Sequence, residues 1–527
     1  MKKRVLFLLF GMLLAMPFSA SALESKGYIF QLPKNAPALY SFTTYSSLPA
    51  DAMALGSGFF YTNDEAFIEK NKGQLASFPN YMVTLFENSP TLDSPNDTKY
   101  SHQWYLQAIH ASAPRVKGVF GKGVTVAVID SGLTTNHPDL NQGNILSGIN
   151  CAFEPMYNQA NELVGFDVPP NPNDVTDTNG HGTMVTGLIA AQTNNALDIA
   201  GVASHAKILP IKVQSTDNGV YLNSILYAMD TAISYGCDVI NMSLGTPLDP
   251  ADINQKSAID ALQGLVDNAL EENITIVAAV GNDGGTDPDK ATTPTVVNYP
   301  AGCDGVIGVA GVTRNNNGDY TAALQSSRNY SVLIAAPGGG TAIDGSYTGI
   351  CGLSNNGGVN VQYGTSFASP IVAGTVALIK DIWPDATVAE ITSLVTSTAT
   401  DLDNSTANEE DIVYGHGLLN LQSILEELSD KIPLYALSNG CTRDVSGNIT
   451  SSYLYIHNNT QENLIPKFLF VVNKADRDAM TWTALTFTSF APGITQYFPT
   501  EVDFSKGDEL YLWADGLRPL AKKHILN

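Results

Sequence analysis

Hydrophobic positions in the middle of the chain fall into two kinds of run. Short, continuous apolar runs rich in β-branched residues predict buried strands, and longer runs with helical spacing predict helices. The strand-like runs are 124–129, 208–213, 239–242 and 274–280, and the helix-like runs are 183–191, 224–235, 367–381 and 388–397. Buried strands separated by helices are typical of a parallel sheet with helices on both faces. The expected fold class of this region is therefore α/β.

The pattern differs on both sides of this region. Residues 23–96 contain short strand-like pieces at 28–32 and 81–86 with a helix-like stretch between them, which predicts a small α+β unit. After residue 428, several β-type runs alternate polar and apolar positions. Residues 429–527 are therefore expected to form a small β-rich domain.

The first 22 residues have the layout of a secretory signal peptide. Basic residues 2–4 precede an apolar stretch that ends near Phe18, and small residues follow at 20–22. A membrane anchor is the alternative, but the stretch is short for a span and is interrupted by a glycine and a proline. No later segment is apolar enough to cross a bilayer. We therefore predict a secreted, extracellular protein from which residues 1–22 are removed.

Composition narrows the classes of function. The 527 residues carry a formal net charge of −24, and such an acidic surface repels phosphate backbones, so nucleic acid is not an expected partner. The acidity fits carboxylates that bind a hard cation, although solubility accounts for most of it. The five cysteines leave at least one unpaired within the chain, and the absence of any CxxC spacing argues against thiolate-bound zinc.

Three short motifs in the middle region carry residues suited to nucleophilic catalysis. Asp130 ends a buried strand, His181 lies in Gly-His-Gly-Thr before a helix, and Ser366 opens another helix within Gly-Thr-Ser-Phe-Ala. A serine hydroxyl is a weak nucleophile and needs a nearby base to activate it. The unperturbed pKa of a histidine suits it to act as that base, and an aspartate fixes the imidazole tautomer. Jointly they predict a catalytic triad, although each alone is typical of a loop or helix cap. Pro370, in the serine helix, is expected in its first turn, where no N–H partner is needed.

These motifs, in the order Asp, His, Ser, resemble those of the subtilisin family of serine peptidases. The resemblance covers roughly residues 97–427 and implies a subtilisin-like fold. It also implies a serine endopeptidase of broad specificity that hydrolyses peptide bonds in protein or peptide substrates. Further matching segments are 201–203, 238–245, 299–301 and 415–420.

The resemblance assigns an oxyanion hole. Asn282 lies in a segment like the one that supplies the family's oxyanion-hole asparagine, and the backbone N–H of Ser366 would be the second donor. A plain turn residue after a strand is the alternative for Asn282. His416, in a second Gly-His-Gly triplet, matches a structural turn of the family and is not expected to be catalytic.

A substrate-binding segment follows from the same resemblance. Ser243, Leu244 and Gly245 resemble the extended segment beside the S1 pocket, to which a peptide adds as a strand. The leucine indicates an apolar pocket, whereas Asp283 near its rim would favour basic or polar P1 residues. The P1 preference therefore stays open.

Segments of this chain also resemble those that form one structural calcium site in the thermitase-like branch of the family. About six oxygen ligands suit calcium, a hard ion that tolerates varied geometry. The alternative is a solvated acidic loop. The implied ligands are side-chain oxygens of Asp97, Asp139 and Asn195, and backbone carbonyls of Gln192, Leu197 and Ile199.

The resemblance implies one disulfide. Related secreted members often join a cysteine in a Tyr-Pro-Ala-x-Cys context to one further on, which here pairs Cys303 with Cys351. Cys237 is expected to be a buried free thiol. Cys151 and Cys441 have no assigned partners.

By position and size, residues 23–96 resemble the family's propeptide, which assists folding and occupies the active site until autolysis. A retained N-terminal domain is the alternative. The expected layout is therefore a signal peptide (1–22), a propeptide (23–96), a subtilisin-like catalytic domain (97–428) and a C-terminal β-rich domain (429–527).

The expected partners are substrates and the chain's own propeptide, with the enzyme a monomer. Two other functions are possible for this sequence: a narrow processing protease, and a binding protein built on an inactive protease scaffold. The presence of all three triad residues and of Asn282 argues against the binding protein.

Overall fold

The computed structural model describes residues 95–403 and 411–432 continuously, and short segments elsewhere, most of them strands. The predicted signal peptide, the predicted strand at 81–86 and, apart from Arg443, the side chains of the C-terminal strands lie outside these described residues. Within the described part of the chain, no helix has the length and apolar character needed to span a bilayer.

The chain divides into two compact units, and the first is Met1–Ser89. Its described strands form an antiparallel sheet in the order β2-β3-β1-β4, with β1 between two partners. The strand predicted at 28–32 corresponds to β1. The strands are β1 (Tyr28–Gln31), β2 (Met53–Gly56), β3 (Phe59–Thr62) and β4 (Ala76–Pro79).

The second unit, Pro90–Asn527, contains eight α-helices with described bounds. Local sequence signals begin several of them. Before α7, the Thr387 hydroxyl accepts from the Glu390 N–H while the Glu390 carboxylate accepts from the Thr387 N–H, a capping box. The helices are α1 (Trp104–Ala108), α2 (Ser112–Val116), α3 (His181–Ala190), α4 (Leu222–Tyr235), α5 (Ile253–Glu271), α6 (Thr365–Ile382), α7 (Val388–Ser397) and α8 (Leu421–Glu427).

The central sheet has the strand order β15-β14-β12-β10-β5-β9-β6, with β16 beside β14. Every pairing in it is parallel except that of β14 with β15. The strands of this region are β5 (Thr125–Asp130), β6 (Ile149–Asn150), β7 (Glu154–Tyr157), β8 (Leu163–Asp167), β9 (Lys207–Lys212), β10 (Val239–Met242), β11 (Thr246–Pro247), β12 (Thr275–Ala279), β13 (Asn298–Tyr299), β14 (Ile307–Arg314), β15 (Tyr320–Ala322), β16 (Ile334–Pro337), β17 (Gly340–Thr341), β18 (Tyr347–Thr348), β19 (Ile350–Leu353) and β20 (Val359–Gln362).

Helices cover both faces of this sheet, so the predicted α/β fold is confirmed. Alternate residues of β5 show the two faces: Val126 and Val128 pack with residues of α3 and α6, whereas Ala127 and Ile129 pack with residues of α4 and α5. The eight runs predicted in the sequence are all found, with bounds within two residues of expectation.

After α8 the described segments are strands, as the alternating pattern predicted. They form two antiparallel sheets, β21-β22-β25 and β24-β23-β26-β27, with β28 beside β26. The strands are β21 (Tyr435–Arg443), β22 (Ile449–Asn458), β23 (Phe468–Val472), β24 (Met480–Ala484), β25 (Thr495–Pro499), β26 (Glu509–Ala514), β27 (Arg518–Pro519) and β28 (His524–Ile525).

Candidate active site

The structure brings Asp130 and His181 together at the carboxyl edge of the parallel sheet, where open α/β folds place functional residues. Asp130 is the last residue of β5 and is 4% exposed. Its Oδ1 accepts from the Ser131 N–H at 2.7 Å and lies 2.8 Å from Nδ1 of His181. The carboxylate is therefore placed to hold the imidazole in one orientation.

His181 is the first residue of α3, and its ring lies partly open to solvent. Gly180 before it has φ of 95°, a left-handed conformation that a glycine adopts at low cost. The ring packs near Phe367, with centroids 5.4 Å apart. Burial lowers the pKa of His181, but the attraction of Asp130, its hydrogen bond and the charge of Asp177 outweigh burial and raise that pKa above its ordinary value.

Ser366 is the second residue of α6. Just before this helix, the backbone of Gly364 lies close to the side chain of Asn282. Gly364 has φ of 134°, and a Cβ there would lie 3.2 Å from the amide of Asn282. The Ser366 hydroxyl donates to the carbonyl of Ser243 at 3.1 Å, and there is no hydrogen bond between Ser366 and His181 in this geometry.

Pro370 lies deeper in α6 than the sequence predicted. It is the sixth residue of the helix, so the expectation of a first-turn proline is wrong. A proline there removes the N–H that would bond the carbonyl four residues earlier, that of Ser366. The Ser243 hydroxyl donates to that carbonyl at 2.8 Å instead. The polar side chain thus satisfies the backbone group that the proline leaves without a helical partner.

The predicted substrate segment leaves the end of β10 and becomes progressively exposed. Ser243 is buried, Leu244 packs against the hydrophobic cluster beneath α4 and α5, and Gly245 is exposed. A Cβ on Gly245 would lie 3.1 Å from the carbonyl of Tyr299. Nearby, one carboxylate oxygen of Asp283 accepts from Asn298 Nδ2 at 2.6 Å and from a serine hydroxyl. That oxygen is already engaged within the protein.

The amide of Asn282 is oriented by the residue before the serine. Its Oδ1 accepts from the Thr365 N–H at 3.0 Å and lies 3.3 Å from the Thr365 hydroxyl. These contacts use only the Oδ1 atom, so the Nδ2 group of Asn282, a hydrogen-bond donor, does not take part in them. The N–H of Ser366 belongs to the first turn of α6, where N–H groups have no intrahelical partner.

Ser366, His181 and Asn282 all line one pocket of about 370 Å³. No Asp, Glu, Lys or Arg lines it, and residues 243–245 are not part of its wall. Side-chain amides provide much of its polar surface. The other lining residues are Asn179, Gly180, Met184, Leu353, Ser354, Asn355, Asn360, Gln362, Tyr363 and Phe367.

Sequence reasoning missed Asp177, which is buried behind the site and bonded to residues on both sides of it. Its only sequence signal was a turn-forming residue shortly before His181. The exposed His416 does not line the pocket, as expected for a structural turn.

The residues predicted to bind calcium lie together: Asp97 and Asp139 both contact residues 192–199, here called the candidate calcium loop. Asp97 accepts from the N–H groups of Asn194 and Asn195, at 3.0 and 3.2 Å. Asp139 accepts from Asn195 Nδ2 at 2.8 Å and from the Ile199 N–H at 2.9 Å. Both carboxylates are buried, and neither forms an ion pair within the described residues.

The chemistry of these residues suits calcium, and two of the implied oxygens already accept hydrogen bonds: Asn195 Oδ1 from the Leu197 N–H and the Leu197 carbonyl from the Thr98 N–H. Burial raises the pKa of Asp97 to about 7 and that of Asp139 well above its ordinary value, despite their hydrogen bonds. A hard cation would offset that cost, and carboxylate, amide and carbonyl oxygens are its preferred ligands. No group of three or more His, Cys, Asp or Glu in the described residues could hold a metal ion. The implied calcium ligands differ from such groups because only two of them, Asp97 and Asp139, are carboxylates.

The structure does not form the Cys303–Cys351 bridge implied by the resemblance. Both thiols are free and buried in different hydrophobic clusters, Cys303 with residues beneath α5 and Cys351 with Leu133. Burial raises the pKa of Cys303 to about 12 and that of Cys351 to about 11, so both are protonated at neutral pH. Cys151 and Cys237 are also free and buried.

Comparison with known proteins places this geometry in a family. The subtilase family profile matches residues 121–417, more than half of the chain. Subtilisin E of Bacillus subtilis (strain 168) is 35% identical over 319 residues, which cover 60% of this chain and 70% of the relative. Subtilisin DY of Bacillus licheniformis is 33% identical over 319 residues, covering 60% of this chain and 96% of the relative. The chain therefore belongs to the subtilase family and is a serine endopeptidase.

A solved structure agrees on the fold. A lanthipeptide protease superposes with a TM-score of 0.50 at 22% identity, covering 65% of this chain and 100% of that chain. At this identity the likeness concerns the fold alone, and it matches the parallel sheet with helices on both faces.

Proposed function

We propose that the protein is a secreted endopeptidase of broad specificity in which Ser366 is the nucleophile, His181 the general base and Asp130 the residue that orients the base. The observation that carries this proposal is the 2.8 Å contact between Asp130 Oδ1 and His181 Nδ1, with Ser366 in the same pocket as the imidazole. Secretion rests on the signal-peptide layout of residues 1–22.

In the first half of the reaction, the Ser366 hydroxyl attacks the carbonyl carbon of the scissile peptide. His181 Nε2 takes the hydroxyl proton, and Asp130 stabilises the imidazolium that forms. The negative charge that develops on the substrate oxygen is met by Asn282 Nδ2 and the Ser366 N–H. When the C–N bond breaks, the imidazolium returns the proton to the leaving amine, and an acyl-enzyme remains.

In the second half, His181 takes a proton from a water molecule, which attacks the acyl carbon. The tetrahedral intermediate uses the same two donors, and collapse returns the proton to Ser366 Oγ with release of the carboxylic acid. Water therefore contributes one hydrogen to the serine and its hydroxyl to the acid, and the enzyme is regenerated.

A structural calcium ion is part of this proposal. Side-chain oxygens of Asp97, Asp139 and Asn195 would hold it, together with backbone carbonyls of Gln192, Leu197 and Ile199 in the candidate calcium loop. The ion would supply charge compensation for two buried carboxylates and takes no part in the chemical steps. Support comes from their burial without an ion pair in the described residues.

We also propose that residues 23–96 are a propeptide removed on maturation. The separation of Met1–Ser89 from the rest of the chain as a compact unit supports this, because a removable segment needs a boundary near its end. N-terminal sequencing of the secreted enzyme is the test. A mature start near residue 97 is expected, and a start at Leu23 would mean a retained N-terminal domain.

The test of the catalytic assignment is casein hydrolysis by the secreted wild-type chain beside Ser366→Ala. The variant is expected to lose activity by roughly a millionfold, the scale on which loss of such a serine acts. Equal hydrolysis by both would contradict the assignment of the nucleophile. Cleavage of an unbiased peptide library by wild type then separates broad specificity, with many cut sites, from a narrow processing enzyme.

A further inference from the structure

A second buried carboxylate lies behind the candidate triad. Asp177 is 4% exposed and precedes α3 by a short turn. Its Oδ1 accepts from the Ser131 hydroxyl at 2.9 Å and from the N–H groups of Gly180 and Asn179, at 2.8 and 3.1 Å. Its Oδ2 accepts from the Thr183 N–H at 2.9 Å and from the Thr183 hydroxyl at 2.6 Å. Five donors therefore converge on one side chain.

These bonds reach both residues of the Asp130–His181 pair through their neighbours. Ser131 follows Asp130 directly, and its hydroxyl also accepts from the Gly182 N–H at 2.9 Å. Asp177 thus links the end of β5 to the first turn of α3, the two elements that carry Asp130 and His181. The N-cap residue of α3 is a glycine with no side chain, so Asp177 also supplies a cap from three residues upstream.

The charge of Asp177 acts on His181 as well. The charged groups that influence the imidazole in the described structure are Asp130, at the end of β5, and Asp177, in the turn before α3. Phe367 of α6 packs on the ring and adds no charge. Burial opposes the ionisation of Asp177, but its hydrogen bonds outweigh burial and hold its pKa below the ordinary value. A fixed negative charge therefore stands near the proton acceptor at neutral pH.

We infer that Asp177 is a positioning residue for the proposed triad: it fixes Asp130 and His181 relative to each other and favours the imidazolium form. This inference rests on the proposed function. A merely structural role would stabilise the turn without altering the proton affinity of His181, and the two roles predict different pH profiles.

The test compares Asp177→Asn and Asp177→Glu with wild type in the full-length secreted chain, using a chromogenic peptide substrate. Asp177→Asn removes the charge and disturbs the five-donor arrangement. We expect kcat to fall about 10- to 100-fold with KM nearly unchanged, because small misplacements of catalytic groups act on this scale. The acid limb of kcat/KM should move to lower pH, because loss of a negative charge lowers the pKa of His181.

Asp177→Glu keeps the charge but lengthens the side chain, which disturbs the hydrogen bonds. We therefore expect kcat to fall while the acid limb of the kcat/KM profile stays close to that of wild type. Asp174→Asn is the matched control, because Asp174 is an exposed carboxylate of the same loop and should change neither value. Active-site titration with a sulfonyl fluoride corrects each kcat for the fraction of competent enzyme.

If Asp177→Asn behaves like Asp174→Asn in both kcat and acid limb, the inference is overturned. If Asp177→Asn fails to mature, Ser131→Ala decides, because it removes one link while keeping the carboxylate. We then expect at least a fivefold loss in kcat with an unchanged acid limb, and wild-type kcat would overturn the inference. Failure of the proposed function would appear separately, as activity retained in Ser366→Ala.

Discussion

Two regions of this molecule each bury a pair of carboxylates, and the two pairs differ in the groups that hydrogen-bond to them. At the candidate active site, Asp177 accepts five hydrogen bonds and Asp130 faces His181 at 2.8 Å. Beside the candidate calcium loop, Asp97 and Asp139 accept two hydrogen bonds each from its residues.

The balance between burial and hydrogen bonding differs between Asp177 and Asp97. Five donors outweigh burial and lower the pKa of Asp177, whereas two donors leave burial dominant and raise the pKa of Asp97 to about 7. The comparison shows that Asp177 keeps its charge through protein groups alone. For Asp97 and Asp139 we propose that a bound cation compensates the charge, so chemistry should depend on the first pair and calcium-linked stability on the second.

The largest expected effect is on kcat, and it distinguishes the active-site carboxylates from those beside the candidate calcium loop. Asp130→Asn should lower kcat by about ten-thousandfold, because the amide no longer selects the productive imidazole tautomer. Steady-state kinetics on a chromogenic peptide with calcium present would measure this. Asp97→Asn is the matched control and should leave kcat at 25 °C within a fewfold of wild type. A loss of less than tenfold in Asp130→Asn would break the comparison.

The next effect concerns the oxyanion donor. Asn282→Ala should lower kcat about 100- to 1000-fold with little change in KM, since the amide acts mainly on charge that develops in the transition state. Asn356→Ala, which truncates an exposed loop asparagine, should have no such effect. A wild-type kcat in Asn282→Ala would mean that another group stabilises the oxyanion.

A smaller effect is expected for calcium. A site at a hundredfold excess over its Kd stabilises the folded state by about 2.7 kcal/mol, which corresponds to roughly 4 °C in Tm for a domain of this size. Chelation should lower Tm accordingly, measured by calorimetry in the Ser366→Ala background, where autolysis is absent. Asp139→Asn should remove most of the calcium-dependent shift. The same shift in both chains would place the ion elsewhere.

The smallest effect concerns the pocket beside His181. The imidazole protonates the leaving amine, and residues 243–245, assigned to the acyl side, do not line this pocket, so it should receive the leaving-group side of the substrate. Its amide-rich, uncharged wall should favour neutral polar amines roughly two- to tenfold over charged ones, the scale of one hydrogen bond. Partition of the acyl-enzyme among amino-acid amides would measure this. Gln362→Glu should shift the preference towards arginine amide; an unchanged preference would exclude Gln362.

Much of the fold was predictable because buried strands and amphipathic helices leave local, periodic signals. The β-branched run that ends at Asp130 and the glycine-flanked His181 and Ser366 are contiguous motifs, so they could be recognised without the structure. The helix α5 was not predicted, although its buried residues Leu262 and Val266 are four apart and Asp252 caps it. Its mostly exposed surface gives a weak apolar pattern.

What sequence reasoning missed depends on contacts between distant segments. Five donors meet on Asp177 only after β5 and α3 are packed, and no local pattern distinguishes it from other turn aspartates. The implied Cys303–Cys351 bridge failed for the same reason, because packing places the two thiols in different hydrophobic clusters. The role of Ser243 in satisfying the Ser366 carbonyl likewise required the position of Pro370 in the helix.

The most direct test of the central claim is covalent labelling of the mature enzyme with a sulfonyl fluoride, followed by peptide mass mapping. The hydroxyl activated by His181 should displace fluoride and form one sulfonate ester. We expect a single label on Ser366, parallel loss of activity, and no label in Asp130→Asn on the same time scale. A label on another serine with the same loss of activity, or full activity after Ser366 is modified, would contradict it.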